Sequence, residues 1–321
     1  MSPDVQRIPL SHIDSADITY QITTGREDRL TDSIHRIGQL QAVRLIETGG
    51  KHIILSGFRR VAACRELGHP DIAARIYQAV KLGQRPRCLM AIGDNSAQRA
   101  LDAVETARAV ALLHNQLPDV DAIRVCLRQL LFPENPAWLH QQLAISALPD
   151  DIVEMLRNGV IGTAVALELG KLETSDAWAL GRVFEKLRLG LNRQREVMGI
   201  CRDLSRRDKL TIRAVLDAPP LRALVEDADG DTGERTRRLR HHLRQMRYPG
   251  LSAAEAEFQR NLKSLALGQG IQLVPPPFFE GNAYQMTLTL SSIDDLNRHV
   301  ATLTDKASSP HLRRLLNRSD D

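Results

Sequence analysis

The stretch from 38 to 68 constrains the fold more than any other part of the chain. Two short apolar runs flank the pair Gly49-Gly50. Paired glycines between such runs predict a β-hairpin, because glycine readily adopts the positive φ angles of tight turns. The second run ends at Gly57, and the apolar spacing then predicts a helix over 58–67. The sequence therefore predicts a hairpin followed by a helix that opens directly on a glycine.

Two arginines, Arg59 and Arg60, stand in the first turn of that helix. Free backbone N–H groups and the helix dipole favour an anion at such a position. A guanidinium can also donate two parallel hydrogen bonds to a phosphate. The same residues fit an ordinary β-β-α core unit whose arginines face solvent. On these residues alone, both interpretations stay open.

This stretch resembles the N-terminal domain of ParB-type partition proteins, which carry a G-E-R-R-x-R-A box here. The matching residues are Gly57, Arg59, Arg60 and Ala63. Phe58 stands in place of the Glu of the box, and Ala62 in place of its last Arg. In the family the box binds the triphosphate of CTP. The related sulfiredoxins need a catalytic Cys before their box, which Phe58-Arg59-Arg60 does not offer.

A second family box, E-N-x-x-R, resembles the stretch that begins at Asp94-Asn95. In the family this acid–amide pair helps to hold Mg²⁺ and phosphate. Arg99 lies one residue later than the family's arginine, which is about 100° of rotation on a helix. The alternative interpretation is a polar helix start, with Asp94 or Asn95 as the N-cap.

The resemblance thus implies a site for CTP with Mg²⁺. The predicted nucleotide-binding residues are Gln39, Ser56, Gly57, Arg59, Arg60, Ala63, Asn95 and Arg99. The predicted metal ligands are Asp94 and Asn95. No catalytic residue is assigned, and CTP hydrolysis is expected to be weak or absent because Phe58 replaces the Glu of the box.

Basic residues are concentrated in 181–250, which contains 17 Arg and Lys against 10 Asp and Glu. A basic helical face can neutralise phosphates along double-stranded DNA. The alternative is a solvated helical surface. Beside a ParB-like N-terminal domain we expect DNA binding. The predicted DNA-binding residues are Arg193, Arg195, Arg202, Arg206, Arg207 and Lys209.

The segment 148–159 resembles the one that follows the family's helix-turn-helix, but Leu131-Phe132-Pro133 replaces its Gly-Lys-Ser turn. We therefore expect a degenerate helix-turn-helix. The last part of the chain predicts strands at 271–274 and 284–290, a helix to about Leu303, and a frayed end beyond Ala307. This ending resembles the family's dimerisation domain, and so small a unit buries little surface alone, which favours a homodimer.

Several classes of protein are excluded by composition. The four cysteines are far apart and form no C-x-x-C pair, which indicates reduced thiols in the cytoplasm. No apolar run is long enough to cross a membrane, and the N-terminus shows no signal-peptide core. An enzyme of the kinase or nuclease type is disfavoured, because the acid nearest to Gly57 in sequence is Glu66.

The predicted fold is an α+β, ParB/Srx-like N-terminal domain at 1–90, then a mainly helical DNA-binding domain at 91–250 and a β-β-α domain at 251–321. The predicted function is that of a cytoplasmic, nucleoid-associated ParB-like protein for plasmid, phage or chromosome partition. The resemblance implies a ParA-type ATPase as a partner. The alternative is a transcription regulator or adaptor of the same fold that has lost the nucleotide switch.

Overall fold

The computed structural model describes residues 3–23, 28–281 and 283–316. The chain divides into two compact units, Met1–Gly181 and Arg182–Asp321. The predicted mixture of a sheet with many helices is confirmed. The predicted division into three domains stays a prediction.

The described residues form seven strands and sixteen α-helices. The strands are β1 (Val5–Pro9), β2 (Ile13–Asp14), β3 (Val43–Thr48), β4 (Lys51–Ser56), β5 (Asp71–Gln78), β6 (Ile271–Val274) and β7 (Gln285–Leu288). The helices are α1 (Asp28–Ile37), α2 (Phe58–Glu66), α3 (Gln84–Ser96), α4 (Ala103–Gln116), α5 (Val120–Gln129), α6 (Pro136–Ser146), α7 (Asp150–Arg157), α8 (Thr163–Leu169), α9 (Thr174–Lys186), α10 (Leu191–Asp208), α11 (Ile212–Leu216), α12 (Pro219–Glu226), α13 (Thr232–Arg247), α14 (Pro249–Leu265), α15 (Ile293–Lys306) and α16 (Pro310–Leu316).

The first unit is built on a five-stranded sheet of order β1-β5-β3-β4-β2. The predicted hairpin is confirmed: β3 and β4 pair antiparallel, with Thr48 opposite Lys51. β3 also pairs with β5, in parallel, so the hairpin lies at the centre of the sheet. The predicted helix after Gly57 is confirmed as α2. A capping box predicted at Thr24 and Glu27, before α1, lies outside the described residues.

Two apolar clusters stabilise this unit. One packs α1 and α2 against the sheet, and includes Val43, Leu45 and Val61. The other joins α3, α4 and α5, and includes Ile92 and Leu113. Phe58 contacts both clusters. The residue that replaces the Glu of the family box therefore helps to connect the sheet to the helices that follow it.

The alternative interpretation of this stretch, with Asp94 or Asn95 as the N-cap of a helix, is wrong. Both residues lie in the last turn of α3. The helix start in this region belongs to α4, whose N-cap is Asp102. The Asp102 carboxylate accepts from the N–H of Glu105, and the Glu105 carboxylate accepts from the N–H of Asp102, which forms a capping box.

The second unit ends in a small core around the β6–β7 hairpin. Phe258 and Leu265 of α14 pack there with Leu273 of β6 and Leu315 of α16. The expectation of a frayed end beyond Ala307 is wrong for 310–316, because Leu315 is buried in this core and holds α16 in place. Residues 317–321 lie outside the described part of the chain.

Two further sequence expectations concern the whole chain. The four cysteines are all free and buried. In the part of the chain that the structure describes, no helix combines the length and the apolar character needed to span a membrane.

Gly57 is the position at which we expect the fold to tolerate least change. Its φ is +99°, and an added Cβ would lie 2.7 Å from Val43 Cγ1. A left-handed conformation costs a residue with a Cβ about 1–2 kcal/mol, and an overpacked core costs about 1–3 kcal/mol more. Gly57→Ala should therefore lower the free energy of unfolding by about 2–5 kcal/mol in chemical denaturation.

Gly38→Ala is the matched control. Gly38 also has a positive φ, +77°, but an added Cβ there meets nothing within 4 Å. It should lose only the backbone contribution of about 1–2 kcal/mol. Equal losses in the two variants would contradict the steric role of Val43.

Candidate functional site

The turn at Gly57 positions the functional side chains of the first unit. β4 ends at Ser56, Gly57 is the N-cap of α2, and the cap has no side-chain hydrogen bond. The first N–H groups of an α-helix have no partner within the helix. The turn therefore places the first backbone N–H groups of α2 next to Arg59 and Arg60, an arrangement that suits an anion.

A cavity of about 280 Å³ lies in front of this turn. It is lined by Tyr20, Ile22, Thr23, Leu30, Gly57, Phe58, Arg59, Arg60, Asp94, Asn95, Gln98 and Arg99. Six of the residues predicted for the nucleotide and metal are in this set: Gly57, Arg59, Arg60, Asp94, Asn95 and Arg99. Residues from the two family-like boxes, about 35 positions apart, thus meet at one cavity.

Three of the predicted residues do not line this cavity. The Gln39 amide donates to the Ala73 carbonyl (2.8 Å) and accepts from the Ala73 N–H (2.7 Å), so it is bound to β5. Ala63 is 3% exposed and lies in the core. Ser56 is buried, and its hydroxyl donates to Asp94 Oδ2 at 2.6 Å. Gln39 borders a second cavity, of about 490 Å³, which shares Arg60, Asp94 and Gln98 with the first.

Asp94 is held from two sides. Besides Ser56, it pairs with Arg44 of β3, a residue that the sequence analysis did not single out. Arg60 lies near this pair. Burial lowers the pKa of Arg60 from its ordinary value; Asp94 opposes this effect and Arg44 adds to it. Arg44, Arg60 and Asp94 therefore form a charged cluster between the two cavities.

The expectation that Glu66 is the acid nearest to Gly57 holds along the chain but is wrong in space. Asp94 reaches Ser56, the residue next to Gly57, and it lines the cavity together with Gly57. Glu66 is at the far end of α2. Acidic side chains therefore do lie close to Gly57, and their absence does not count against an enzyme.

Glu105 is the functional residue that the sequence analysis missed. Its side chain is 1% exposed, and it binds Arg59 at 3.2 Å and Arg99 through two hydrogen bonds of 2.5 and 2.6 Å. Burial alone would raise its pKa. The hydrogen bonds from Arg99 and the Asp102 N–H, with the charges of both arginines, bring the pKa below its ordinary value. A buried carboxylate thus fixes two of the arginines at the cavity.

The predicted helix-turn-helix corresponds to α5 and α6. They are separated by 130–135, where Leu131 has a φ of +58° and is 91% exposed. α6 contains neither Lys nor Arg. The helix that follows the turn therefore offers no cation to a phosphate.

The residues predicted to bind DNA lie on α10 and at its C-cap, in the second unit. Arg193, Arg195, Arg206 and Lys209 are exposed, and Arg202 is half-buried. Arg207 differs from them, because its guanidinium binds Asp208 and the carbonyls of Met246 and Arg247 at the end of α13. Arg207 is therefore part of the packing between α10 and α13.

Glu105→Gln should destabilise the first unit, because two arginines would lose their buried counter-charge. Breaking a buried ion pair costs about 3–5 kcal/mol, and the glutamine amide can keep part of the capping box, so we expect a loss of about 2–4 kcal/mol at pH 7. The loss is the decrease in the free energy of unfolding relative to wild type, measured by chemical denaturation. Glu134→Gln, which removes an exposed pair with Arg128, is the control and should change little.

The loss of stability in Glu105→Gln should depend on pH. The folded-state pKa of Glu105 is lowered from its ordinary 4.5. The stabilisation is therefore fully present above about 4.5 and is lost as the pH falls through the folded-state pKa. The difference between wild type and Glu105→Gln should shrink with acidification over this range. A difference that stays constant to low pH would show that the charge of Glu105 contributes nothing.

Comparison with known proteins identifies one curated relative. The chain is 25% identical over 240 residues to a probable plasmid-partitioning protein ParB from Thermus thermophilus. The similarity covers 65% of this chain and 78% of the relative. No family model matches the chain.

Solved structures give weaker similarities. A C-terminally truncated ParB from Caulobacter crescentus, complexed to the centromeric parS site, is 18% identical and covers 59% of this chain and 96% of its own, with a TM-score of 0.33. A second structure of that protein, complexed with CTP-gamma-S, has a TM-score of 0.26 at 20% identity and covers 56% of this chain and 98% of its own. A Pnob8-like ParB-N domain is 14% identical, covers 76% of this chain and 95% of its own, and has a TM-score of 0.35. TM-scores this low do not establish a shared overall fold.

The sequence similarity confirms the predicted resemblance: the chain is a sequence relative of a ParB-type partition protein.

Proposed function

We propose that this chain is a ParB-like DNA-binding protein that acts in plasmid, phage or chromosome partition. One observation carries the proposal. Residues of both family-like boxes, Gly57 with Arg59 and Arg60 and then Asp94 with Asn95, meet at one cavity. The similarity to a plasmid-partitioning protein over 78% of that protein's length supports it.

The ligand proposed for the cavity is a nucleoside triphosphate, and CTP follows from the family resemblance. Four arginines, Arg44, Arg59, Arg60 and Arg99, surround the site or its ion pairs, against the two carboxylates Asp94 and Glu105. This excess of positive charge, with the N-terminal N–H groups of α2, favours a polyanion. The first cavity is near the lower size limit of small-molecule sites, and the adjoining one extends it.

Asp94 and Asn95 are the residues proposed to hold Mg²⁺. No three His, Cys, Asp or Glu side chains of the described residues come together as a metal site. Mg²⁺ bound with a nucleotide usually takes only one or two protein ligands, together with phosphates and water. The Asn95 amide nitrogen donates to the Ala91 carbonyl at 2.8 Å, which leaves its oxygen available. The pair fits a nucleotide-bound Mg²⁺ when Asp94, which Ser56 and Arg44 bind in this structure, exchanges Arg44 for the ion.

Little CTP hydrolysis is proposed. Phosphoryl transfer to water needs a group that orients or activates the attacking water. Phe58 lines the cavity but has no acceptor atom. The carboxylate of Asp94 is bound by Ser56 and Arg44, so it is engaged in this conformation. A bound nucleotide would then leave by dissociation.

Calorimetry with CTP, ATP and Mg²⁺, together with a phosphate-release assay on the same preparation, tests the pocket. Binding without appreciable release is expected, and Arg60→Ala should weaken binding at least about tenfold, because a charged hydrogen bond contributes about 1.5–3 kcal/mol. Arg124→Ala, on the exposed side of α5, is the control.

Two results would revise the proposal in different ways. Fast phosphate release that survives Arg60→Ala would refute the pocket assignment. Fast release abolished by Arg60→Ala would keep the pocket and refute the role of Phe58.

A homodimer through the C-terminal hairpin and α15 is also proposed. β7 has one partner strand only. Leu290, Ile293 and Val300 beside it are 47%, 68% and 51% exposed. Ile293 and Val300 are seven residues apart and share one face of α15. A second copy could cover these apolar side chains.

Ile293→Glu with Val300→Glu should therefore convert a dimer to a monomer, measured by light scattering, because like charges would face each other across the interface. Both positions are exposed, so the fold should persist, as circular dichroism would show. Asp294→Glu with Arg298→Glu, on the same helix, makes the same change in net charge and is the control. An unchanged mass in the first variant would contradict this interface.

The partner ATPase of ParA type and the nucleoid-associated, cytoplasmic location are proposed from the family resemblance. The second candidate function is a transcription regulator or adaptor without a nucleotide switch. The ion pairs of Arg59 and Arg99 with Glu105 favour it, because they leave Arg60 as the arginine of the cavity that Glu105 does not bind. Calorimetry that detects neither CTP nor ATP, with DNA binding intact, would decide for this second function.

A further inference from the structure

α10 and α13 run in the same direction and are joined by two ion pairs. Arg240 binds Glu196 through two hydrogen bonds of 2.9 and 3.0 Å, and Arg247 pairs with Asp203. The two acids are seven residues apart on α10, and the two arginines are seven apart on α13. Residues seven apart share one face of a helix. These pairs therefore hold the facing sides of the two helices together.

Most arginines of this region serve the fold. Arg235 is 6% exposed and donates to the carbonyls of Leu224 and Val225 at the end of α12, both at 2.8 Å. Arg244 binds Glu255 at 3.0 Å. Arg207 binds the last carbonyls of α13. A high count of basic residues therefore overstates the charge that is available to a partner.

A second set on α10 has no such role. Within the described residues, Arg193, Arg195 and Arg206 have exposed side chains and show no hydrogen bond or ion pair. The three acids of α10, Glu196, Asp203 and Asp208, are all engaged in ion pairs. The outer face of α10 is therefore positive, with no acid left to offset it.

Two of these cations, Arg195 and Arg206, form a line along one face of α10. Arg206 is 11 residues after Arg195, and at about 100° per residue the two fall within roughly 20° of one another, whereas Arg193 lies on the other side of the helix. Glu196 and Asp203 lie about 80–100° away, toward α13. At about 1.5 Å per residue the line is about 16 Å long, which matches roughly five base pairs of duplex DNA at about 3.4 Å each.

Stabilisation of the helix explains only one end of the line. Arg206 is in the last turn of α10, where the helix dipole favours a cation. Arg195 is near the N-terminus, where the dipole disfavours a cation and the first turn has no acidic residue. An external anion would relieve the repulsion at Arg195.

We propose that the outer face of α10, through Arg195 and Arg206, binds the sugar–phosphate backbone of duplex DNA without reading its sequence. This inference rests on the proposed DNA-binding function and narrows it: Arg207 and the arginines of α13 maintain the helix pair. Contacts to phosphates position a protein on DNA and carry no base information. Contacts to the bases of a specific DNA site then belong to other residues.

The test measures the binding of the full chain to two unrelated duplexes by fluorescence anisotropy at several salt concentrations. Arg195→Gln with Arg206→Gln should reduce the slope of log affinity against log salt by about 1.8, since each neutralised phosphate contributes about 0.9. Both duplexes should lose affinity alike. Arg195→Lys with Arg206→Lys should restore the slope, because lysine keeps the charge.

The matched control is Arg213→Gln with Arg237→Gln. It removes the same charge from two exposed arginines that pair with Asp217 and Glu234, and it should leave the slope nearly unchanged. Equal slopes for wild type and the α10 variant would overturn the inference while leaving DNA binding in place. Loss on one duplex only would also overturn it. No binding of either duplex by the wild type at low salt would refute the proposed function itself.

Discussion

The first unit depends on one buried carboxylate. Glu105 caps α4 and binds Arg59 of α2 and Arg99, which follows α3. An ionised group without partners is very costly to bury, so the loss of either arginine would leave the charge of Glu105 poorly compensated. The carboxylate thereby connects three helices and fixes the arginines at the cavity. The proposed site for a polyanion is in this way built around a negative charge.

The elements that the sequence predicted correctly are those that depend on a local pattern of residues. The glycine pair and the alternation of apolar residues identified the hairpin, and Gly57 identified the start of α2. Residues that meet across long separations were accessible only where a family box marked them, as with Asp94. Arg44 lies outside the marked positions of those boxes, so no local signal distinguished it. Glu105 forms a capping motif with Asp102, which was present in the sequence and could have placed the start of α4.

Composition identified the basic region but not which of its arginines form ion pairs and which face solvent. An arginine in an ion pair and an arginine facing solvent look the same in a residue count. The helical spacing of Glu196 and Asp203, matched by that of Arg240 and Arg247, distinguishes them once the two helices are known to be neighbours. The frayed end was wrongly predicted for a related reason. A short polar helix such as α16 is held by one or two buried side chains, and their partners lie far away in the sequence.

The position of Phe58 has a consequence for any attempt to restore the glutamate of the family box. Its ring contacts both apolar clusters of the first unit. A glutamate there would lose these apolar contacts and place a carboxylate at the junction of the two clusters, where burial costs free energy. Phe58→Glu alone would therefore weaken the packing of the unit that carries the cavity. Restoring the family residue would require the surrounding apolar residues to change as well.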